Sequence, residues 1–350
     1  MTNFAKRYII NDMQDTRDIR TICLNCFGTL DRTGTCTNCK RHFSEDIATV
    51  GALPLRSLLA GRYLISAPLG RGGFGITYKA YDMLTRSRVA IKEFFPKGYA
   101  SRAQKAFALE ITDGAGGKVF NYWLSAFIQE AKVLTSIKHM EGIVGIYDFF
   151  LTNNTAYIVM EYLDGMSLHR FINGRGGRLH LGETLNIMRP VLETLLLLHQ
   201  HGIIHKDISP ENIQIVNNKT IKLIDFGAAS IYNQNVSKPF FVLKKGYSPI
   251  ELYNQTGSQG PWTDIYEIGA TIYTCLVGYP PPVATERYTL DKLVPPSQLG
   301  VKIQPIREKT LLRALAVNTQ DRYNNIGAFQ QMFYGEFMPT THFTTTTVDS

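Results

Sequence analysis

The sequence reads HKDISPEN at residues 205–212 and DFG at residues 225–227, thirteen residues after Asn212. Each motif alone could arise by chance, so its meaning depends on the motifs around it. Two such motifs lie upstream, a glycine-rich run at residues 70–75 and a lysine at the end of an apolar run at residues 89–92. The order of all four along the chain is therefore more informative than any one of them.

The glycine-rich run reads GRGGFG and fits the pattern GxGxxG. A dinucleotide-binding fold requires a strand before this pattern and a helix after it. Here the segments on both sides, RYLISAPLG and ITYKAYD, have the alternating texture of strands. We therefore expect the glycines to cap a hairpin, where backbone N–H groups can approach phosphate oxygens closely.

Lys92 ends the apolar run Val89-Ala90-Ile91-Lys92, which has the character of a strand. A lone lysine is usually a solvated surface residue, but an unpaired ammonium inside an apolar run is costly. We therefore expect Lys92 to have an acidic partner and an anionic ligand. Glu130 is the candidate partner, because it lies in the helical pattern that begins near Phe127.

Together these motifs, in this order, resemble the catalytic domain of protein kinases over about residues 62–335. Their particular forms, among them GGFGITY, IKEFFP, DISPENI and GYSPIELY, are similar to those of bacterial Hanks-type Ser/Thr kinases with an N-terminal zinc ribbon. The resemblance implies ATP-dependent phosphorylation of protein hydroxyls. It also implies an α+β fold of two lobes, a small antiparallel β N-lobe and a helical C-lobe. Strand-like runs followed by mainly helical patterns beyond Gly165 agree with that class.

The resemblance also implies roles for individual residues. Asp207 would orient the substrate hydroxyl and accept its proton, and Asn212 and Asp225 would hold Mg²⁺, or Mn²⁺ in its place, on the phosphates. Lys92, positioned by Glu130, would bind the α- and β-phosphates. The other implied ATP-binding residues are Leu69, Gly70, Arg71, Gly72, Gly73, Phe74, Gly75, Thr77, Ala90, Met160, Glu161, Leu163 and Gln214.

Some of the implied roles concern adenine recognition and support of the site. Met160 would be the gatekeeper, and the backbone of residues 161–163 would be the hinge that reads adenine. Glu251 would close the activation segment and form a buried ion pair with Arg322. Asp264 would support the catalytic loop.

Several positions depart from the family pattern. Lys206 stands where an arginine usually binds a phosphorylated activation segment, and a lysine is only a point charge. Ser209, at a catalytic position, replaces a lysine and so removes a cation near the γ-phosphate, although the zinc-ribbon group shares this serine. Thr77 and Gln214 make the adenine pocket more polar. The segment 228–247 contains no threonine, so we expect a kinase that is constitutive or gated by a partner.

Four of the five cysteines form two CxxC pairs separated by nine residues: Cys23, Cys26, Cys36 and Cys39. Two such pairs at close range can supply all four ligands of a tetrahedral Zn²⁺, whereas a redox site needs only one pair. A closed four-sulfur site leaves no open position for chemistry. We therefore expect a structural zinc ribbon that serves either folding or the docking of a protein partner. We also expect the kinase lobes to stay folded when chelation unfolds the ribbon. Nucleic acid is not the expected partner, because residues 27–35 carry a single Arg and an Asp.

The predicted organisation has five parts. These are an N-terminal arm (1–20), the zinc ribbon (21–43), a linker (44–61), a kinase domain (62–337, with the N-lobe at 62–161 and the C-lobe at 165–337) and a disordered Thr-rich tail (338–350). An insert at residues 103–122 is expected to be either a gate for the helix that carries Glu130 or a mobile loop. An apolar helical pattern from Asp264 to Leu276, which contains Cys275, is expected to be buried.

The net charge is +8, from 37 Lys and Arg against 29 Asp and Glu in 350 residues. The motifs assign only Lys92 and Lys206 to phosphate, so most of this excess is expected to be ordinary surface. No apolar stretch approaches the ~20 residues of a membrane span, and no apolar signal region opens the sequence. We therefore expect a soluble, cytoplasmic protein with no membrane partner, although delivery into a host cell would leave no mark in the sequence.

The leading hypothesis is an ATP- and Mg-dependent Ser/Thr protein kinase that contains structural Zn²⁺ and acts on an unidentified protein. The alternative is a nucleotide-binding pseudokinase scaffold that docks a partner through its zinc ribbon, which Lys206, Ser209 and Gln214 suggest. A small-molecule kinase on a related fold is a third hypothesis. The activation segment that ends at Glu251 argues against it.

Overall fold

A computed structural model describes residues 18–42, 50–137, 139–217, 219–231, 243–253 and 258–335. Most of the predicted N-terminal arm, the first residues of the predicted linker, the middle of the activation segment and the Thr-rich tail lie outside the described residues. The chain divides into two compact units. Unit 1 comprises the residues up to 139 and residues 144–163, and unit 2 comprises residues 140–143 and those from 164 onward.

Unit 1 is built on one antiparallel sheet and a helix. The sheet consists of β1 (Leu58–Leu59), β2 (Tyr63–Arg71), β3 (Gly75–Asp82), β4 (Ser87–Phe94), β7 (Ile146–Thr152) and β8 (Thr155–Glu161), in the order β1-β2-β3-β4-β8-β7. A separate pair is formed by β5 (Ala100–Ser101) and β6 (Glu110–Ile111), and the helix is α1 (Ala115–Ser136). The core lies between sheet and helix, where the ring of Phe94 packs 5.1 Å from Phe120 and 5.6 Å from Phe127. The predicted hairpin is formed by β2 and β3, and the glycine-rich run lies at their junction.

The insert at residues 103–122 is packed against this core. Leu109 and Phe120 are buried in it, and the second half of the insert forms the first turns of α1. The backbone N–H of Leu109 donates to Asn153 O at 2.9 Å. The prediction of a mobile loop is therefore wrong, because two buried apolar side chains attach the insert to unit 1.

The cysteine-containing segment shares a hydrophobic core with the lobe that follows it. Ile22, Leu24 and Phe27 form a buried cluster with Leu64 of β2 and Tyr81 of β3. The ring of Phe27 stacks on that of Tyr81 with 5.2 Å between centroids. A segment this short cannot build a core alone, so it completes its core with side chains of the sheet.

Polar contacts reinforce this junction. Ser66 Oγ donates to Leu24 O at 2.5 Å, and Lys79 Nζ donates to Asn25 O. The prediction that the lobes stay folded when the ribbon unfolds assumed that the two have separate cores, and this assumption is wrong. The stability of the lobes without the ribbon stays a prediction. Residues 50–61, predicted as linker, also contribute, since Leu53 and Leu59 are buried in the core of unit 1.

Unit 2 is mainly helical, as predicted. Its helices are α2 (Leu168–Gly174), α3 (Leu181–Gln200), α4 (Ile250–Tyr253), α5 (Pro261–Val277), α6 (Ala284–Thr289), α7 (Pro305–Ala314) and α8 (Ile326–Tyr334). Its short strands are β9 (Gly165–Ser167), β10 (Ile203–Ile204), β11 (Ile213–Val216), β12 (Thr220–Leu223) and β13 (Ser230–Ile231), which form the sheets β12-β11-β9 and β10-β13.

Helix α5 lies at the centre of unit 2. It begins at Pro261, whose fixed φ suits a first turn, and ends before Gly278, which adopts a φ of 101°. Every residue from Thr263 to Leu276 is buried, including Cys275, which confirms the predicted buried helix. Burial of Asp264 and Glu267 on this helix requires polar partners for both, and the loop before β11 supplies them. Among the described helices, none is both long enough and apolar enough to cross a bilayer.

Candidate active site

The predicted pair of Lys92 and Glu130 forms within unit 1. Side chains alternate along β4, so that Lys92 and Glu93 point to opposite faces of the sheet. Lys92 Nζ donates to Glu130 Oε1 of α1 at 2.7 Å and lies 5.6 Å from the ring centroid of Phe127. The lysine is 19% exposed and the glutamate 4%. The carboxylate thus orients an ammonium that a soluble anion can still reach.

The glycine-rich run presents its backbone at the β2–β3 junction. A Cβ at Gly75 would lie 2.3 Å from Glu93 O, so only glycine permits this approach of the two strands. A Cβ at Gly70, Gly72 or Gly73 would meet nothing within 4 Å. These three backbone positions are therefore open to a ligand on the side where a side chain would otherwise stand.

Two side chains of this run are used for packing. Phe74 contacts Trp123 edge-on, with 4.9 Å between ring centroids. Arg71 Nη1 donates to Val50 O at 2.7 Å, and its guanidinium lies 5.1 Å from the ring centroid of Phe95. The guanidinium of Arg71 is therefore engaged within unit 1, which leaves its backbone for the predicted contact with a nucleotide.

The other predicted adenine-binding residues lie on adjacent strands. Ala90 of β4 pairs with Met160 of β8, and Thr77 of β3 pairs with Lys92. Glu161 is the last residue of β8, and Leu163 lies just beyond it. Gln214 lies on β11 in unit 2.

In unit 2, acids of α5 fix the backbone of the loop that contains Asp207. The N–H groups of His205 and Lys206 donate to Asp264 Oδ2 and Oδ1 at 2.9 and 2.8 Å. One turn further along α5, Glu267 Oε2 accepts the N–H of Ile208 at 2.7 Å. Lys206 has a φ of 62°, a strained conformation for a non-glycine residue that such surrounding contacts can maintain.

The two supporting acids have opposite pKa shifts. Burial alone would raise the pKa of Asp264, but the hydrogen bond from His199 Nε2, at 2.7 Å, and the interactions with His205 lower it below its ordinary value. Burial raises the pKa of Glu267 well above its ordinary value, and the charge of Asp264 adds to that shift. Relative to an ordinary carboxyl group, ionisation is therefore favoured at Asp264 and disfavoured at Glu267.

Asp207, the predicted base, has partners at both carboxylate oxygens. Asn212 Nδ2 donates to Asp207 O at 2.8 Å and to Asp207 Oδ2 at 2.7 Å. Lys244 Nζ lies 2.8 Å from Asp207 Oδ1. Burial raises the pKa of Asp207 to about 6, although the charge of Lys244 acts in the opposite direction. A carboxylate in this range can still accept a proton at neutral pH.

Lys244 is a residue of this site that the sequence analysis missed. Its Nζ also donates to Ser209 Oγ at 3.0 Å and lies 3.7 Å from Glu211 Oε2. The sequence did contain an indication of a cation from elsewhere, because position 209 has a serine where the family pattern has a lysine. Nothing in the spacing of positions 209 and 244 shows, however, that one could reach the other.

The predicted metal ligands Asn212 and Asp225 also lie in unit 2. Asp225 follows β12 with a φ of 63°, and its Oδ1 accepts the N–H of Gly227 at 3.3 Å. The next side chain, Phe226, is buried and its ring lies 4.6 Å from that of His205. Because Asn212 directs its amide nitrogen at Asp207, its oxygen is the atom that can ligate. An amide oxygen and a carboxylate fit the preference of Mg²⁺ for oxygen donors.

The two residues predicted to pair beneath the activation segment do so. Arg322 Nη1 and Nη2 donate to Glu251 at 2.7 and 3.1 Å, and the two side chains are 0% and 3% exposed. Thr263 Oγ1 donates to the same carboxylate at 3.0 Å. The other donors of Arg322 bond to the backbone oxygens of Trp262, Ala316 and Val317.

A second buried ion pair, in unit 1, was also missed. Arg102 of the segment before the insert donates to both oxygens of Glu93, and both side chains are fully buried. The hydroxyls of Tyr78 and Tyr157 donate to the same carboxylate at 2.7 and 2.6 Å. Because Glu93 follows Lys92 on β4, this network fixes the strand from the face opposite to Lys92.

The four cysteines of the two CxxC pairs converge in unit 1. Their sulfur atoms all lie within 4.8 Å of one another, with 3.8 Å between Cys23 and Cys39 and 3.4 Å between Cys26 and Cys36. A tetrahedral zinc with bonds of ~2.3 Å requires sulfur atoms about 3.8 Å apart. The donor set and its spacing therefore fit a zinc ion.

Hydrogen bonds act on these thiols. Asn25 Nδ2 donates to Cys39 Sγ at 3.5 Å, and this bond, with a backbone N–H from Arg41, lowers the pKa of Cys39 to about 6. Burial raises the pKa of Cys23 to about 11. A bound cation would favour the thiolate at all four positions.

Comparison with known proteins shows similarity to protein kinases. A family model described as "Protein kinase domain" matches residues 63–310. A probable serine/threonine-protein kinase of Clostridium acetobutylicum is 28% identical over 279 residues, which are 77% of this chain and 39% of the relative. The serine/threonine-protein kinase PrkC of Bacillus subtilis is 32% identical over 221 residues, which are 63% of this chain and 31% of the relative.

A solved structure is similar as well. A chain described as "PpkA-294 apo form" superimposes with a TM-score of 0.71 and 32% identity, over 81% of this chain and 99% of that chain. The curated relatives are longer proteins, and this chain spans about two fifths of their length or less.

Proposed function

Because the chain belongs to the protein kinase family, we propose that it transfers the γ-phosphoryl group of ATP to serine and threonine hydroxyls of protein substrates. Its relatives bear the names of serine/threonine-protein kinases, which supports this choice of acceptor. The observation that carries the proposal is the loop around Asp207. There the expected base is in hydrogen-bonding distance of Asn212, and its backbone is fixed by two buried acids.

The residues of unit 2 would carry out proton transfer and metal binding. Asp207 would orient the acceptor hydroxyl and take its proton, for which a pKa of about 6 is suitable. Asn212 and Asp225 would hold Mg²⁺ through their oxygen atoms. When bound, this ion neutralises charge on the phosphates. Because the transition state of phosphoryl transfer is loose, positioning and positive charge are the main contributions a protein can make.

The residues of unit 1 would bind the nucleotide. Lys92, oriented by Glu130, would contact the α- and β-phosphates. The backbone N–H groups of Gly70, Gly72 and Gly73, where side-chain space is empty, would approach the phosphate oxygens. The remaining adenine-binding roles, including those of Met160 and the residues after it, rest on the resemblance to the family.

The four cysteines would bind structural Zn²⁺. Their mutual distances support this, and a closed four-sulfur site offers no position for a substrate. The ion would stabilise a segment whose apolar side chains complete their core on Leu64 and Tyr81. Docking of a protein partner by this ribbon remains part of the proposal.

The test is phosphorylation by the purified full-length chain, incubated with Mg²⁺, radiolabelled ATP and a generic basic protein. We expect labelled protein, and we expect Asp207→Ala to lower the rate by at least about 10²-fold. Asp113→Ala, at an exposed acid of unit 1, is the matched control and should keep full activity. Mapping of the labelled residues should return serine and threonine.

One outcome of this test would contradict the proposed activity, and two others would each support one of the alternative functions. Equal labelling by wild type and Asp207→Ala, or none by either, would contradict the proposed activity. A thermal shift with Mg·ATP but no turnover would support a nucleotide-binding scaffold. Labelling of a sugar or an antibiotic but of no protein would support a small-molecule kinase.

A further inference from the structure

We propose that Lys244, from the activation segment, supplies the cation that the catalytic loop lacks at Ser209, and that it contacts the transferred phosphoryl group. This proposal rests on the proposed kinase activity. In that reaction the substrate oxygen bonds to the γ-phosphorus and the bond from this phosphorus to the β–γ bridging oxygen breaks. The hydroxyl proton passes to Asp207, and ADP leaves with the electrons of the broken bond.

The position of the ammonium carries the proposal. Lys244 Nζ lies 2.8 Å from Asp207 Oδ1 and 3.0 Å from Ser209 Oγ, so it stands between the expected base and the residue that replaces the expected lysine. The side chain of Ser209 is short and buried. A lysine at position 209 would bring its ammonium to the same carboxylate, and the two ammonium groups would repel each other. The serine therefore leaves room that Lys244 fills.

Backbone contacts hold Lys244 in this position. Its N–H donates to Ser248 Oγ at 2.9 Å, and its carbonyl accepts the N–H groups of Tyr247 and Ser248 at 3.0 and 2.9 Å. Gly246, within this turn, has a φ of 82°, and a Cβ there would lie 2.6 Å from Pro281 O. The turn is thus specified by its own sequence and by its packing.

The ammonium can also reach a ligand. Lys244 and Asp207 are 23% and 22% exposed. An ammonium has three N–H donors, and Asp207 and Ser209 accept two of them. Glu211, at 3.7 Å, is beyond hydrogen-bond distance, so within the described part of the chain one donor is left for a phosphoryl oxygen. A flexible lysine stem allows the small movement that this contact requires.

This origin of the cation has a consequence for regulation. In the family pattern the cation belongs to the catalytic loop and is always present. Here it depends on the turn at residues 244–248, so any partner that displaces the turn removes the cation. Such gating needs no phosphorylated residue, in agreement with a segment 228–247 that contains no threonine.

The experiment compares Lys244→Met with Lys245→Met in the full-length chain, with basic protein as substrate and ATP varied. An interaction made only with the transferred group affects kcat, whereas one made equally in ground and transition states affects KM. We expect Lys244→Met to lower kcat by about 10²-fold or more and to change the KM for ATP by less than about threefold. Lys245→Met, the exposed neighbour, should keep both constants.

Restoring the charge separates its effect from a loss of packing. Lys244→Arg, and Ser209→Lys combined with Lys244→Met, should each regain at least about tenfold in kcat over Lys244→Met. Unchanged or increased activity of Lys244→Met would overturn the proposal, and an increase would mean that the lysine inhibits the base. If neither of the two charge-restoring variants regained kcat, the proposal would be overturned as well. Wild-type activity that depends on Asp207 verifies the kinase function in the same assay, so these failures concern Lys244 alone; an inactive wild type overturns both.

Discussion

Among the ion pairs of the described residues, unit 1 and unit 2 each contain an arginine pair that is sealed from solvent and a lysine pair that is partly open. In unit 1 the sealed pair is formed by Arg102 and Glu93, both 0% exposed. The open pair is formed by Lys92, 19% exposed, and Glu130. The carboxylate of one pair and the ammonium of the other belong to consecutive residues of β4, which direct them to opposite faces of the sheet.

Unit 2 repeats the arrangement with other elements. Its sealed pair is Arg322 with Glu251, at 0% and 3% exposure. Its open pair is Lys244 with Asp207, at 23% and 22%. In both units the partly open pair includes a residue to which the family resemblance assigns a role in catalysis or ATP binding. The sealed pair in each unit links two different segments of the chain.

The chemistry of the two cations explains why the sealed pairs contain arginine and these partly open pairs contain lysine. Arg322 uses all five N–H donors, two with Glu251 and the others with backbone oxygens, which a rigid planar group can do inside a protein. A lysine ammonium is a compact charge on a flexible stem and can exchange a carboxylate for a phosphate oxygen. Sealed arginines are therefore expected to determine stability, and open lysines activity.

The strongest test of this comparison is Arg322→Met. It leaves Glu251 buried without its cation, so we expect the free energy of unfolding to fall by about 4 kcal/mol. Arg175→Met removes an exposed arginine from its 3.3 Å contact with Glu183 in the same unit and should cost less than about 0.5 kcal/mol. Urea denaturation measures both. A loss of under 1 kcal/mol in Arg322→Met would remove the distinction between sealed and open pairs.

Arg102→Met applies the same test to unit 1 and separates charge from packing. We expect a loss of about 3 kcal/mol, because Glu93 keeps two tyrosine hydroxyls but loses its counter-ion. Glu93→Gln combined with Arg102→Met leaves no buried charge and should recover at least about 1 kcal/mol of that loss. A double variant as unstable as the sum of the single ones would mean that packing alone explains the effect.

These ion pairs also show which contacts can be predicted from the sequence. The two-lobed fold is confirmed by the family match, and the pairs of Lys92 with Glu130 and of Arg322 with Glu251 were predicted because each of these residues occupies a recognisable motif. Ordered motifs preserve the spacing of the residues that a common mechanism requires. The predictions of fold and of these contacts depend on that spacing.

The two missed contacts arise from packing that no motif encodes. Lys244 meets Ser209 across 35 positions of sequence, and no motif links the two positions. Arg102 lies next to an insert that has no counterpart in the family pattern. The shared core of the ribbon was missed for a similar reason, since Leu24 and Phe27 stand among cysteines in a segment without hydrophobic periodicity.

The cysteine cluster differs from both kinds of ion pair, because two of its four thiolates would be partly exposed and it would nevertheless stabilise the fold. If zinc is removed by a chelator, we expect the melting temperature of unit 1 to fall by about 5 °C. The reason is that the ribbon would no longer cover Leu64 and Tyr81, and burial of these side chains contributes about 2 kcal/mol to the free energy of unfolding. Scanning calorimetry of the full-length chain measures this. The control variant, Cys23→Ser with Cys26→Ser, should melt at the lowered temperature with or without chelator. Loss of ribbon structure without any change in the melting temperature of the rest of unit 1 would show that the shared core contributes no stability.

The smallest effect concerns a sealed acid that has no basic side chain in contact with it among the described residues. Burial raises the pKa of Glu267 above its unfolded value of 4.5, so the folded state retains the proton and loses stability as the pH rises above 4.5. In Glu267→Gln the new side chain cannot ionise, and its amide oxygen can still accept the N–H of Ile208. The advantage of this variant over wild type should therefore grow between pH 4 and pH 8 by about 1 kcal/mol, as measured by urea denaturation across that range.

The matched control is Glu141→Gln, at an exposed acid of unit 2, which should show no such growth. A pH-independent difference for Glu267→Gln would mean that this acid is ionised in the folded protein. A sealed carboxylate would then be stabilised on α5 by a backbone N–H group, with neither the arginine of the two sealed pairs nor the histidine that contacts Asp264.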